Sequence, residues 1–285
     1  MSKEKDIIQS LSNPLFRLIS EAADELSLET YVVGGFVRDL LLNKPSKDID
    51  IVTIGSGITL ARHVAEKAGK KNRLKVYGRF GTAMIHHNNY AIEFVGARKE
   101  SYQKDSRKPI VEDGTLKDDQ NRRDFSINAM AIRLNKSFFG QITDPFDGRQ
   151  DLINGIIRTP LDPDITFSDD PLRILRAIRF AATLHFKIEE TTFIGIKKQV
   201  RRLEIVSAER IADELNKIIA AEKPSYGITL MDESDVLQQL LPELCKLKGV
   251  EKINNIGHKD NFLHTLEVLD NVARQSDNIW LRWAA

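Results

Sequence analysis

Cysteine is all but missing. Cys245 stands alone, so no internal disulfide can form and a cysteine-built zinc site has nothing to build on. Long apolar runs are absent too, none approaching the roughly 18 residues that a membrane-spanning helix needs. The opening residues Met1–Asp6 lack the apolar core of a signal peptide. Net charge is also lacking: Lys+Arg 42 against Asp+Glu 41 means that any surface for a nucleic acid must be a local one. No internal repeat or low-complexity tract is present. These absences describe a soluble cytoplasmic protein, and 285 residues suffice for two domains and a sizeable core. The last residues, Trp280–Ala285, run in an apolar helical pattern with no capping or breaking residue, which we read as a sequence cut short.

What is there divides in two. Periodicity predicts a helix over 13–27, a strand Tyr31–Val33, a glycine turn with a helix over 35–42, and a β-rich Ile49–Ile54. A helix over 58–69 ends at Gly69, and strands Thr82–Ile85 and Tyr90–Val95 flank a hairpin turn at His87–Asn89. The polar stretch 97–121, with Pro109 and Gly114, reads as a long mobile loop. Beyond about 150 the strand signals vanish. Helical patterns cover 171–184, 189–200, 207–221, 225–231, 233–240 and 260–275. An α/β front therefore joins an all-helical back, with the boundary near Asp147–Gly148.

Three constellations carry chemistry. In the first, Gly34-Gly35-x-x-Arg38-Asp39 precedes Asp48-x-Asp50. Residues i and i+2 of a strand share a face, so the two aspartates can converge, and a divalent cation such as Mg²⁺ relieves their repulsion. Glu93, in an otherwise apolar strand, is a candidate third ligand. With two metals about 3.5–4 Å apart, one activates an attacking hydroxyl and the other steadies a leaving pyrophosphate. Gly34 and Gly35 let backbone approach phosphates, and Arg38 balances their charge. The ordinary alternatives are turn glycines, an Arg38–Asp39 pair in solvent, a turn role for Asp48 and an edge-strand charge at Asp50.

The second cluster is Arg122-Arg123-Asp124 with Asn128. Two arginines suit a triphosphate, and Asp124 and Asn128, sharing a helix face, suit ribose or base edges. An ordinary helix start, with Ala129, Met130 and Ile132 in the core, explains the same residues equally well. The third is Asp169-Asp170-Pro171-Leu172-Arg173, continued by Arg176 and Arg179. Asp170 before Pro171 is a strong helix start. Asp170 and Arg173 side by side can read the Watson–Crick edge of a base, while Arg176 and Arg179 form a stripe that is either functional or solvated.

Taken with Asp144-Pro145-Phe146-Asp147-Gly148, Asp151-Leu152 and Ser207-Ala208-Glu209-Arg210-Ile211, the set resembles the bacterial class II tRNA nucleotidyltransferases, kin of bacterial poly(A) polymerases. The resemblance runs from about 30 to 220. It implies an α+β fold: a polymerase-β-like nucleotidyltransferase head over 1–150, a base-recognising helical neck over 151–222, and a helical body over 223–285. It implies addition of CCA to tRNA 3′ ends from CTP and ATP, with Asp48 and Asp50 holding Mg²⁺. Gly34, Gly35 and Arg38 would hold the triphosphate, Arg123, Asp124 and Asn128 the nucleotide, and Asp170 and Arg173 would serve as a protein template for the base. Asp169 stands where that family has glutamate. The stretch 97–121 would correspond to the segment that helps switch from C to A addition.

The residues from His258 to Leu266 resemble the opening of an HD phosphohydrolase domain with His264 as its first ligand. The His-Asp dyad is missing, and no phosphohydrolase activity is expected. Lys197, Lys198, Arg201, Arg202, Lys246, Lys248 and Lys252 are candidate RNA phosphate contacts or simply solvated faces. Rival readings are poly(A) polymerase, a CC-only or A-only enzyme, a catalytically dead RNA-binding relative, and a metal-dependent phosphohydrolase.

Overall fold

A computed structural model describes residues 8–9, 11–69, 73–103, 106–249, 252–253, 256–257 and 260–285, the side chains of 100–111 and 252–257 excepted. It forms two compact units, Met1–Asn154 and Gly155–Ala285. No helix among the described residues is long and apolar enough to cross a membrane.

The first unit begins with α1 (Pro14–Glu25), where Asn13 accepts from the Leu15 amide and Pro14 fills the first helical position. Strand β1 (Glu29–Val33), α2 (Gly35–Leu41), β2 (Asp48–Ile54) and α3 (Gly57–Lys67) follow, then β3 (Leu74–Tyr77), β4 (Thr82–His87) and β5 (Tyr90–Gly96). A separate hairpin, β6 (Arg98–Gln103) with β7 (Ser106–Asp113), leads to α4 (Leu116–Asn121). Strands β8 (Ala131–Arg133) and β9 (Ile142–Thr143) and helix α5 (Gly148–Asn154) complete the unit. The main sheet has seven strands in the order β3-β4-β5-β2-β1-β8-β9, antiparallel except for the central parallel pair β2/β5.

Alternation along the central strands sorts this sheet into two faces. Ile49, Ile51, Ile85, Ile92 and Phe94 are fully buried on the face covered by α1 and α3. The opposite face carries Asp48, Asp50 and Glu93 at one end. Beside and beyond them, Tyr31, Val33, Val52, Ala97 and Ala131 form an apolar cluster on which Leu116 packs. The expected loop over 97–121 is therefore largely ordered structure. Its charge and Pro109 hid a two-stranded ribbon, where every strand is an edge and tolerates both. Helix α4 within it starts on a reciprocal cap, with the Thr115 amide donating to Asp118 Oδ2 at 2.8 Å and the Asp118 amide to Thr115 Oγ1 at 3.2 Å.

The second unit is mostly helical: α6 (Pro163–Asp169), α7 (Leu172–Leu184), α8 (Glu190–Gln199), α9 (Ala208–Ile219), α10 (Pro224–Glu233), α11 (Val236–Leu240), α12 (Pro242–Cys245), α13 (Asn261–Gln275) and α14 (Ile279–Ala284). The sequence leads to the expectation of no strands in this unit, and the structure corrects it. Strands β10 (Ile156–Ile157) and β11 (Lys187–Ile188) pair in parallel, and β12 (Lys252–Ile253) pairs with β13 (Ile256–Gly257). Two-residue strands are too short to leave a period-2 signature. The pattern expected over 233–240 starts later, because Asp235 turns left-handed (φ 63°) and restarts the helix at Val236.

Candidate active site

The carboxylate end of the sheet face is laid out by register. Asp50 stands opposite Glu93 across the parallel pair, and Val33 opposite Asp50 on the other side. Residues in register share a face, so Asp48, Asp50 and Glu93 line one surface. Among the described residues no three acidic, histidine or cysteine side chains close into a metal cluster. Glu93 shares the face of the two aspartates.

Gly34 makes the close approach possible. Its φ of 75° and ψ of −142° suit glycine alone. A methyl group there would lie 2.9 Å from Arg123 Nη1 and 3.0 Å from Asp50 Oδ2. The glycine therefore admits a guanidinium and a carboxylate to the same patch of backbone. Helix α2 starts on this turn, and Arg38 projects from its first turn with Nε donating to Asp39 Oδ1 at 2.8 Å and Nη1 to Asn128 Oδ1 at 2.9 Å. The Arg38–Asp39 pair is present, though shielded and not in open solvent, and Arg38 also orients Asn128.

Arg122 and Arg123 converge on Asp119, a fully buried carboxylate that sequence reasoning left inside the supposed loop. Arg123 grips Asp119 Oδ2 through Nε at 3.0 Å and Nη2 at 2.9 Å. Burial pushes the Asp119 acid up, but the two guanidiniums and their hydrogen bonds outweigh it and hold the group below the ordinary carboxylate range. The opposite result holds for Asp50. Its burial, reinforced by the like charges of Asp119 and Asp48, outweighs Arg123 and Arg122 and raises its pKa.

Asp124 and Asn128 do come together, though not on a helix. Residues Ser126–Asn128 form one 3₁₀ turn, and Asn128 Nδ2 donates to Asp124 Oδ1 at 3.0 Å. The turn is anchored from below by the Asp-Pro-Phe-Asp-Gly segment. Asp144 accepts the Gly148 and Arg149 amides at 2.8 and 2.9 Å and starts α5, whose buried Asp151 accepts Ser126 Oγ at 2.6 Å. Gly148 lies so close to the Ser126 carbonyl that an added Cβ would sit 2.3 Å from it. That motif is a support for the 3₁₀ turn.

In the second unit Asp170 leaves α6 in extended backbone and accepts the Leu172 amide at 3.2 Å, starting α7 one residue later than Pro171 suggested. Its other oxygen meets Arg210 Nη2 at 3.1 Å, which gives the Ser207–Ile211 motif a role that its sequence did not reveal. Arg173 lies one turn on and donates to the Thr166 carbonyl at 3.3 Å. The arginine stripe then separates from it. Arg179 pairs with the buried Glu214 of α9 (Nε–Oε2 3.2 Å) and lies 4.1 Å over the Phe180 ring, with Arg176 5.4 Å from the same ring. Arg179 is thus a bond between helices, neither a bare stripe nor a solvated face.

Of the expected RNA contacts, Lys198 pairs with Asp164, Arg202 donates to the Ser168 carbonyl, Lys246 pairs with Glu243 and Lys248 with Asp232. The side chain of Lys252 lies outside the described residues, as does His258. His264 is exposed on α13, 3.9 Å from Glu267.

Comparison with known proteins agrees in both units. The model described as poly A polymerase head domain matches residues 30–158, and that described as probable RNA and SrmB-binding site of polymerase A matches 185–248. The A-adding tRNA nucleotidyltransferase of Halalkalibacterium halodurans is 34% identical over 271 residues, 93% of this chain and 62% of that protein. The CCA-adding enzyme of Pediococcus pentosaceus is 35% identical over 231 residues, 80% of this chain and 54% of that one. This chain therefore spans a little over half the length of these two relatives. The Thermotoga maritima CCA-adding enzyme, solved in complex with tRNA, superposes with a TM-score of 0.72 at 34% identity over 97% of this chain and 67% of its own. The mixed α/β head, the helical second unit and these matches agree: the chain belongs to the tRNA nucleotidyltransferase and poly(A) polymerase family.

Proposed function

We propose that the chain adds nucleotides to tRNA 3′ ends, building CCA from CTP and ATP in the cytoplasm. The observation that carries this reading is the Gly34 turn, which sets the Arg123 guanidinium beside the Asp50 carboxylate on the face shared with Asp48 and Glu93. A triphosphate needs cations, and its transfer needs carboxylates; both stand on one patch. Asp48 and Asp50 would hold Mg²⁺, and the donor set fits, because two carboxylates two residues apart on one strand face supply the hard oxygen ligands that the ion takes. When bound, the metal supplies charge stabilisation of the phosphoryl oxygens.

The residues of the chain then do the positioning. Gly34 and Gly35 let backbone approach the phosphates, and Arg38, Arg122 and Arg123 balance their charge. Asp124 and Asn128, oriented by Arg38, present acceptors and donors to the sugar or base. No side chain need act as nucleophile, since alignment of the primer hydroxyl with the α-phosphate supplies much of the rate. The 151–222 segment serves as the neck, with Asp170 and Arg173 reading the base. Because Asp170 meets Arg210 and Arg173 meets the Thr166 carbonyl, an incoming base exchanges bonds already formed, which favours the base that replaces both. Residues 223–285 form the body and the opening of an HD domain.

A-only addition is the second reading, favoured by the name of the Halalkalibacterium halodurans relative. Primer extension with Mg²⁺ decides, using tRNA lacking CCA and tRNA ending in CC, each with CTP, ATP or both. C, C, then A on the first primer carries the CCA reading. A alone on the second moves the assignment to A-addition, and long A-tails move it to poly(A) synthesis. No incorporation into either primer refutes both readings.

A further inference from the structure

The outer edge of the main sheet is left over by every motif. Between Glu66 and Glu93 the sequence has no acidic residue and carries six cations, Lys67, Lys70, Lys71, Arg73, Lys75 and Arg79, in a chain whose charges otherwise cancel. Lys67 is taken up by Glu25. Arg73, Lys75 and Arg79 are exposed, and among the described residues none of the three forms a side-chain hydrogen bond or ion pair. Aromatics interleave with them: Tyr77 is 42% exposed and Phe80 69%.

Sheet register ties this edge to the carboxylates. Lys75 stands opposite Met84, Met84 opposite Glu93, and Glu93 opposite Asp50, a single row across four strands. The next row runs Tyr77, Thr82, Val95, Val52. Lys75 and Tyr77 therefore share the face of Asp50 and Glu93. Three strand spacings separate β3 from β2, about 14 Å. That is the length of about four stacked nucleotides at roughly 3.4 Å each. Cations without acidic neighbours suit a phosphate backbone, and exposed rings among them suit unpaired bases.

We propose that the edge from Arg73 to Phe80 is a docking surface for the single-stranded part of an RNA primer, with its 3′ end directed along the sheet face to Asp48 and Asp50. Phosphates lie on Arg73, Lys75 and Arg79, and bases stack on Tyr77 and Phe80. This assignment rests on the nucleotidyl-transfer reading above.

The test compares the unmodified chain with Arg73→Gln/Lys75→Gln/Arg79→Gln and with Tyr77→Ala/Phe80→Ala. The probe is fluorescein-labelled tRNA ending in CC, whose 3′ end is single-stranded and still extendable. Removing three phosphate contacts at about 0.7 each lowers the slope of log affinity against log salt by about two. The primer KM is expected to rise about tenfold, with the KM for ATP and the melting midpoint unchanged. Because these residues are exposed, a variant that melts normally reports binding and not folding. In the unmodified chain, a primer carrying 4-thiouridine near its 3′ end should crosslink within residues 73–80. Unchanged primer KM and salt slope in folded variants, or crosslinks that map elsewhere, would overturn the surface while primer extension by the unmodified chain kept the enzyme reading intact. Binding of an acidic peptide or anionic vesicles at this edge with RNA affinity unaffected also overturns it. If the unmodified chain extends no primer, the enzyme reading fails first and the surface goes with it.

Discussion

Buried charge is handled differently in the two units. On the sheet face of the first, burial, with Asp119 and Asp48 nearby, raises the pKa of Asp50 even though Arg123 is close. In the second, Glu214 meets Arg179 and Lys217, and Asp270 accepts the Ser225 amide at 3.0 Å and its hydroxyl at 2.6 Å. Arg282, 4% exposed, donates to the carbonyls of Ile219, Ala221, Ala273 and Ser276 and to Asp277 Oδ1. Isolated buried charge is costly, so a buried acid is either paired or pushed towards its neutral form. The buried charges Glu214, Asp270 and Arg282 of the helical unit each meet a partner, whereas Asp50 on the sheet face keeps a pKa above its ordinary value.

The largest expected effect comes from erasing that imbalance. Asp48→Ala/Asp50→Ala should lower single-turnover transfer by about 10³-fold or more while leaving the fold intact by circular dichroism. Retained activity would mean that the carboxylates are not the reacting centre. Next come the paired charges. Asp119→Ala and Arg282→Ala should each cost about 3–5 kcal/mol in urea unfolding, since each leaves buried partners unsatisfied. Only Asp119→Ala should also raise the KM for nucleotide, by freeing Arg123. Equal kinetic effects from the two substitutions would erase the contrast.

Magnesium sharpens it further. A cation binding the folded chain at 100 times its Kd adds about 2.7 kcal/mol, so the melting midpoint should rise with Mg²⁺ in the unmodified chain and stay flat in the double aspartate variant. Gly34→Ala should cost about 1–3 kcal/mol from its φ of 75° and the crowding of Arg123 and Asp50. The smallest effect is on pH. With Asp50 raised above 3.8, the folded chain binds a proton that the unfolded chain has already lost, so metal-free stability falls as pH climbs from about 4 through the raised value. Asp50→Asn should flatten that slope and gain stability near neutrality, read from melting midpoints across the range.

Much of the site was legible because its chemistry is local in sequence. Gly34, Gly35, Arg38, Asp48 and Asp50 fall within one strand–turn–helix–strand passage, where period 2 and glycine placement speak directly. The partner of Arg122 and Arg123 was not. Asp119 belongs to a short helix whose six residues give too little periodicity to stand out from charged surroundings. Nor was the fate of Arg179 legible, since a period of three looks the same whether it faces solvent or a buried Glu214 on another helix. The Asp170–Arg210 pair joins residues 40 apart, a contact that only the fold creates. Asp144 and Asp151 stood out as a motif, yet their work is to hold Ser126, which is mechanical support and carries no chemical signature.

The parallel pairing of β2 with β5 has a consequence for the order of assembly. Hairpins such as β4/β5 close over a few residues, but β2 cannot meet β5 until the intervening α3, β3 and β4 have been made, and β1 cannot meet β8 until Ala131–Arg133 exist. Pairings of such sequence separation form late, because loop closure precedes any reward. On a ribosome the seven-stranded sheet therefore closes only once β9, ending at Thr143, has emerged. Strand β2, with Asp48 and Asp50, can pair at once with β1 but waits for β5 on its other edge for most of that interval.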